Sequence, residues 1–453
     1  MRSVRGARCL ALGMRLVVFV SVLSFSAPSS AQSPSTTPDD ETNLGKSWNF
    51  HIQVTAIPQG HGDLHSPYAS DHSLSAKAEL QTSFTTTFFA GHTLWQGAEL
   101  YINPEILAGK GLSTTQGVAG FPNGEIYRVD TPRPRFNLAR CFIRQTWGLG
   151  GGRDPLGNEQ NQIPGSIDTR RIVLTVGKFS LIDVFDDNTY SHDARSQFLN
   201  WALMDNGAWD FAADTRGYTY GFALELNDRR WAVRFASVMV PKDANGMALD
   251  TRIANARADN LELEHRHEFK GHPGALRLMG FMNHAHMGNY RTTIDTPVFQ
   301  MDITKSRSYS LKYGFGLNAE QEVAKDIGVF VRYGWNDAHT ETWAFTEIDR
   351  TGSAGLSVKG ERWSRPRDRL GVALVVNGIS RDHADYLRAG GKGFIIGDGA
   401  LNYGREKIVE SYYLFSLGKG FAISPDFQQV VNPAYNRDRG PASVWAVRLH
   451  WEL

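Results

Sequence analysis

The chain has 453 residues, 41% hydrophobic and 21% charged, with 45 glycines and 11% aromatics, enough for one large domain or two to three ordinary ones. Its formal charge of +1 excludes the basic footprint of a nucleic-acid binder. Two cysteines, Cys9 and Cys141, are too few for a disulfide framework, a cysteine zinc site or a C-x-x-C redox motif.

Residues 1–31 read as a secretory signal. Arg2, Arg5, Arg8 and Arg15 form its basic part, Leu16–Phe25 its apolar part, and Ser29-Ser30-Ala31 a small-residue cleavage site before Gln32. Removing it takes four of the 48 basic residues and none of the 47 acidic ones, which leaves about −3, and Cys141 alone. The apolar run is too short to span a bilayer, and no other segment approaches the ~20 apolar residues a membrane helix needs. Residues 32–47, rich in Ser, Thr, Pro and Asp, read as a flexible N-terminal segment. A mean hydropathy of −0.34 is that of a soluble protein, but polar lumen faces and loops give a membrane β-barrel the same average.

From Trp48 onward the hydropathy has period 2. Trp48, Phe50, Ile52, Val54 and Ala56 alternate with Asn49, His51, Gln53 and Thr55. Candidate strands follow at Ser83–Ala90 and Leu94–Asn103. Tyr220, Phe222, Leu224 and Leu226 then oppose Gly221, Ala223 and Glu225, and Val329, Val331 and Tyr333 oppose Phe330, Arg332 and Gly334. Leu370, Val372 and Leu374 oppose Arg369, Gly371 and Ala373. The last stretch sets Trp445, Val447, Leu449, Trp451 and Leu453 against Val444, Ala446, Arg448, His450 and Glu452. One greasy and one mostly polar face, repeated behind an export signal, predict an all-β protein. Its form is a transmembrane antiparallel β-barrel over residues 48–453, apolar toward lipid and polar toward a lumen.

The connections alternate in length. Gly91-His92, Asn227-Asp228-Arg229, Lys270–Gly274 and Gly418-Lys419-Gly420 are short. Pro104–Arg135, Asp183–Asp214, Pro241–Arg257, His286–Arg307 and Asp337–Ser364 are long. Short periplasmic turns and long external loops are the barrel pattern; Gly148–Arg170 is long where a short turn is expected. Fifteen strands are plain, and the need for an even number assigns a sixteenth to about Ile379–Ile396. Within 183–214, Asp193–Leu203 reads as a short amphipathic helix that clusters Phe198, Trp201 and Ala202. A loop with its own apolar stripe is expected to pack inside the lumen and constrict it.

Several long stretches, in order, resemble the carbohydrate-selective porins of the OprB family. They are LWQGAELYINPE (94–105), GVAGFPNGEIYR (117–128), the run from VGKFSLIDVFDDNTYSHDARSQFLNWAL to GYTYGFALEL (176–226), GDGALNYGREKIVESYY (397–413) and NPAYNRDRGPASVWAVRLHWEL (432–453). The resemblance implies a 16-stranded barrel in the outer membrane of Gram-negative cells that admits monosaccharides such as glucose by diffusion.

A sugar carries many hydroxyls and no charge. Selecting it takes paired donors and acceptors along a narrow wet path, plus apolar faces for its ring, all held weakly enough for release. The candidate pore-lining residues on strands are Glu99, Arg140, Arg144, Glu225, Arg332 and Glu410, with Arg140 and Arg144 sharing a face opposite Cys141 and Ile143. In the constriction loop they are Asp186, Asp187, Arg195 and Trp201; Asp186 and Asp187 also suit turn or helix-capping roles.

A general diffusion porin without sugar preference uses the same barrel and is the alternative. The enzyme motifs are weak. His265/His267 and His284/His286 each share a strand face but lack a third metal ligand. Ser191-His192-Asp193 has triad residue types, yet triads are set by geometry in space. GLGGGR (148–153) reads as a flexible turn rather than a phosphate loop. The expected function is therefore transport without catalysis or cofactor. Expected partners are monosaccharides, outer-membrane lipid and lipopolysaccharide. A homo-oligomer is compatible with such a barrel, though no stretch marks a subunit interface.

Overall fold

The computed structural model describes residues 47–126 and 132–453. The signal segment 1–31 and nearly all of segment 32–47 lie outside these residues. Among them, sixteen strands close into one antiparallel barrel. In chain order the wall is β1 (Trp48–His61), β2 (Glu79–Trp95), β3 (Ala98–Gly109), β4 (Arg135–Gly148), then β7 (Arg171–Phe179), β8 (Thr219–Asn227), β9 (Trp231–Val238) and β10 (Arg257–Phe269). It continues with β11 (His272–Met287), β12 (Ser308–Ala324), β13 (Ile327–Asn336), β14 (Arg350–Lys359), β15 (Arg369–Gly378), β16 (Glu406–Gly418), β17 (Phe421–Val431) and β18 (Ala442–Glu452). Two further strands, β5 (Arg153–Leu156) and β6 (Gly165–Asp168), pair only with each other.

Closure pairs the first strand with the last, from Gln53↔Glu452 to His61↔Val444. It removes the free edges that a lipid environment cannot hydrate. Strand alternation then sorts the side chains. On β18, Trp445, Val447 and Leu449 are exposed on the outer wall, while Arg448 and His450 are buried inside. On β8, Phe222, Leu224 and Leu226 face outward around a buried Ala223. The interior also holds an apolar core, which includes Phe121, Phe185, Phe198, Leu203 and Trp209, carried on loops rather than on the wall.

Four sequence expectations are corrected. Residues Gly91-His92 continue β2, and the turn is Gln96-Gly97, inside the expected strand Leu94–Asn103. Gly97 has φ +75°, and a Cβ there would lie 2.2 Å from the Thr146 carbonyl, so close strand approach places the turn at this glycine. The sixteenth strand is β14, inside the expected loop Asp337–Ser364. Its alternation is muted because small residues (Gly352, Ser353, Ala354, Gly355, Ser357) occupy both faces. The region Ile379–Ile396 carries a helix over Arg381–Arg388, capped by Ser380, whose side chain accepts from the His383 amide. Finally, the helix expected over Asp193–Leu203 shrinks to one turn, Trp201–Met204. Asn200 is its cap, and the Leu199 and Asn200 amides are captured by Glu410, so no helix extends upstream.

The long connection Gly148–Arg170 is the β5–β6 hairpin, whose tip contacts lumen-facing groups of β1, β3 and β4. Substituting Leu224→Arg puts a charge on the lipid face near mid-strand and is expected to cost ~2–4 kcal/mol at the bilayer midplane. Urea unfolding in lipid vesicles reads this directly, and a wild-type midpoint would mean that Leu224 does not face the membrane core.

Candidate functional site

The third external loop, residues 180–218, lies inside the lumen because the wall supplies partners for its backbone. Glu410 on β16 accepts the Leu199 amide at 2.5 Å and the Asn200 amide at 3.0 Å. Glu262 on β10 accepts the Asp186 amide at 2.8 Å. Arg332 on β13 donates to the carbonyls of Leu203 at 2.9 Å and Asp186 at 3.0 Å, and its Nε lies 3.0 Å from Asp186 Oδ2. Arg448 on β18 donates to the carbonyls of Ala194 and Gln197, each at 2.7 Å. The second external loop is held in the same way: Glu406 accepts the amides of Ala119 at 3.0 Å and Gly120 at 2.8 Å. The two loops are joined by backbone bonds from Trp201 to Phe121, 3.0 Å, and from Gly124 to Leu199, 2.6 Å.

Between these loops and Phe345 of the sixth external loop lies a narrow cavity of about 150 Å³. Its working groups are Arg195, Glu125, Arg140, Arg216, Trp201 and Phe345. Arg195 Nε donates to Glu125 Oε1 at 2.6 Å, and Thr85 donates to the same oxygen at 2.7 Å. Arg140 grips Asp183 through two hydrogen bonds of 2.7 and 2.5 Å and lies over the Tyr218 ring. Burial alone would raise the Asp183 carboxyl, but Arg140 holds it below its ordinary value. Trp201 donates its Nε1 to the Asn123 carbonyl at 2.7 Å and stacks on Phe345 with ring centroids 5.8 Å apart. Deeper in the loop, burial pushes the Asp205 carboxyl up to about 7; His192, another residue of this cavity, lies 3.5 Å from it.

On the periplasmic side the lumen widens into a cavity of about 1030 Å³ bounded by β9–β14. A cross-strand charge ladder crosses its wall. Arg234 faces Glu225 on one neighbouring strand and Glu262 on the other, and Glu264 faces Arg277. Arg234 bonds Glu225 at 3.2 Å and both Glu262 and Glu264 at 2.8 Å; Arg277 bonds Glu264 at 3.0 Å and Glu320 at 3.4 Å. These opposite charges, held directly across strands, bury Arg234, Glu262, Glu264 and Arg277 in the wall.

The structure divides the ten sequence candidates into three groups. Arg140, Arg195 and Trp201 meet at the narrow cavity. Asp187 borders the wide cavity, while Glu99, Arg144 and Glu225 border a third cavity of about 690 Å³ beside the β5–β6 hairpin. Asp186, Arg332 and Glu410 are buried where the wall fastens the third external loop, Asp186 lying within that loop. Glu125, Arg216, Phe345, Arg234, Glu264 and Arg277 escaped the sequence reading. The last two could have been found, since Glu264 and Arg277 sit at polar positions of alternating runs (LELE, ALRL). The Ser191 hydroxyl is turned to the Leu203 carbonyl rather than to His192, and His265 packs against Trp231 with ring centroids 4.2 Å apart.

Residues 71–453 match the model of the carbohydrate-selective porin, OprB family. Porin AaxA of Chlamydia abortus is 22% identical over 311 residues, 67% of this chain and 60% of that protein. Porin AaxA of Chlamydia caviae is 21% identical over 281 residues, 62% of this chain and 53% of that protein. The chain thus spans little more than half the length of these relatives. OprB of Pseudomonas putida superposes with a TM-score of 0.69 at 18% identity, covering 92% of this chain and 96% of that one, a likeness of fold.

Substituting Arg332→Ala leaves Asp186 buried beside no counter-charge, a change expected to cost about 3–5 kcal/mol. The third external loop should loosen, raising single-channel conductance and exposing residues 180–218 to protease. Wild-type conductance and protease resistance would show that Arg332 does not hold the loop.

Proposed function

We propose that this chain, which belongs to the carbohydrate-selective porin family OprB, is a passive outer-membrane channel for monosaccharides such as glucose. Its fold, a closed 16-stranded antiparallel barrel, is that of a channel rather than an enzyme. The observation that carries the sugar reading is the composition of the narrow cavity. A guanidinium–carboxylate pair, Arg195–Glu125, stands beside the indole of Trp201 and the ring of Phe345.

Such a site suits an uncharged polyol. Hydroxyls can exchange water for the polar atoms with which Arg195, Arg216 and Glu125 line the cavity, each exchange being worth about 0.5–1.5 kcal/mol net. The aromatic rings offer the apolar face of a pyranose a surface that water does not compete for. Because both charges are already paired, neither attracts a counter-ion strongly, so the neutral solute is favoured over an anion or a cation. Modest contacts in series let the solute leave as readily as it enters.

Liposome swelling with purified protein tests this reading by comparing glucose, a disaccharide and a neutral non-sugar solute of glucose's size. Glucose entry should be fastest and should saturate, and Arg195→Ala should remove the saturation while raising the rate for the non-sugar solute. Entry ranked by size alone would leave a general diffusion porin.

A further inference from the structure

The β5–β6 hairpin plays no part in closing the barrel. β4 and β7 pair directly from Cys141↔Lys178 to Gly148↔Arg171, and the chain ends that enter the hairpin are already bonded, Leu149 amide to Arg170 carbonyl at 2.8 Å and Arg170 amide to Gly150 carbonyl at 2.9 Å. Yet its tip, residues 157–163, is fixed to lumen-facing groups on four wall strands. The Asn49 amide group donates to Asn158 Oδ1 at 2.8 Å and to the Gln162 carbonyl at 3.0 Å. Asn103 donates to Asn161 Oδ1 at 2.9 Å, and Arg144 donates to the Asn161 carbonyl at 2.9 Å. Gln160 reaches Glu452 at 3.4 Å. Ile163 is buried with Tyr101 and Phe142 in the lumen core.

The tip also meets the constriction loop through one residue. The Gln53 carboxamide lies between the two, 2.9 Å from Gln160 Nε2 on one side and 2.6 Å from Arg195 Nη1 on the other. The hairpin and the constriction loop therefore close the same sector of the lumen from opposite ends.

Beside the hairpin lies the cavity of about 690 Å³, which shares Arg234 and Arg266 with the wide cavity. Three ion pairs around it are stretched: Glu99–Arg144 at 4.0 Å, Arg153–Asp168 at 3.5 Å and Arg171–Asp154 at 3.6 Å. By contrast, the bonds that fasten the constriction loop to Glu410, Glu262, Arg332 and Arg448 span 2.5 to 3.0 Å. Long ion pairs of this kind keep guanidinium and carboxylate groups at the cavity wall at less than full pairing strength, while shorter bonds such as Arg153 to Ser166 and Arg144 to the Asn161 carbonyl hold them in place. Gln162 adds a carboxamide, which can both donate and accept.

We propose that the hairpin makes the periplasmic mouth a second polyol-binding station, in series with the constriction. Arg153, Asp168 and Gln162 on the hairpin face Glu99, Arg144 and Glu225 on the wall across the path that a monosaccharide takes to the periplasm. This rests on the reading of the chain as a monosaccharide channel. The second station shortens the jump from the constriction to bulk water and narrows the exit.

Two variants test it: excision of residues 151–168, and Arg153→Ala, whose exposed side chain bonds within the hairpin, to Ser166 and Asp168, and not to the barrel wall. Each is compared with the full chain by planar-bilayer conductance in KCl and by liposome swelling over a series of glucose concentrations. Excision should raise conductance and raise the glucose concentration for half-saturation roughly fivefold, the worth of about one ordinary hydrogen bond. Arg153→Ala should raise half-saturation with conductance unchanged. An excised channel with wild-type conductance and half-saturation overturns the proposal, as does higher conductance with half-saturation unmoved in both variants. If the full chain itself shows no saturable glucose entry, the monosaccharide reading fails first and the second station falls with it.

Discussion

The interior of this barrel depends on one interaction: a buried carboxylate that accepts two successive backbone amides from a loop. Glu410 takes Leu199 and Asn200, and Glu406 takes Ala119 and Gly120. Asp210 takes Trp343 and Ala344, and Glu347 takes Ile395 and Ile396. Each carboxylate would be costly to bury alone, and each pair of amides would be costly to leave unbonded in the lumen. Bonding them to each other removes both costs, and hydrogen bonds to a charged acceptor are the strong kind. The links run from the wall to the second and third external loops, from the third to the sixth, and from the sixth to the seventh. The inward position of four loops is thus one connected arrangement.

That arrangement shapes the path. With the loops drawn in, the lumen's apolar core lies against the strands that carry Arg332, Glu410 and Arg448, all buried. What remains open is bounded by the charge ladder of β8–β12 and by the space beside the β5–β6 hairpin. A charged side chain on this wall is therefore bonded to loop backbone, to a neighbour across the strand or, as Glu262 is, to both.

The barrel was legible in the sequence because alternation has a direct physical cause, lipid on one face and water on the other. It failed locally where that cause was weak. β14 carries small residues on both faces, so it shows no contrast. The Gln96-Gly97 turn is set by the close approach of the Thr146 carbonyl, a contact between strands about fifty residues apart in the chain. Glu99, Glu410 and Arg332 look alike as sequence, each a charge on the polar face of a strand. Only the covering loop separates Glu99, which borders a cavity, from the other two, which hold that loop in place.

The sequence by itself determined the barrel class and the face of most wall residues, because these follow from period-2 hydropathy, while the even-number rule supplied the strand count. Tertiary structure alone decided which charges meet the path, that Glu125 and Phe345 join Arg195 and Trp201, and that the connection 149–170 turns inward as a hairpin. Those outcomes depend on pairing between groups far apart in the chain, where burial and the need to satisfy backbone amides outweigh any local pattern.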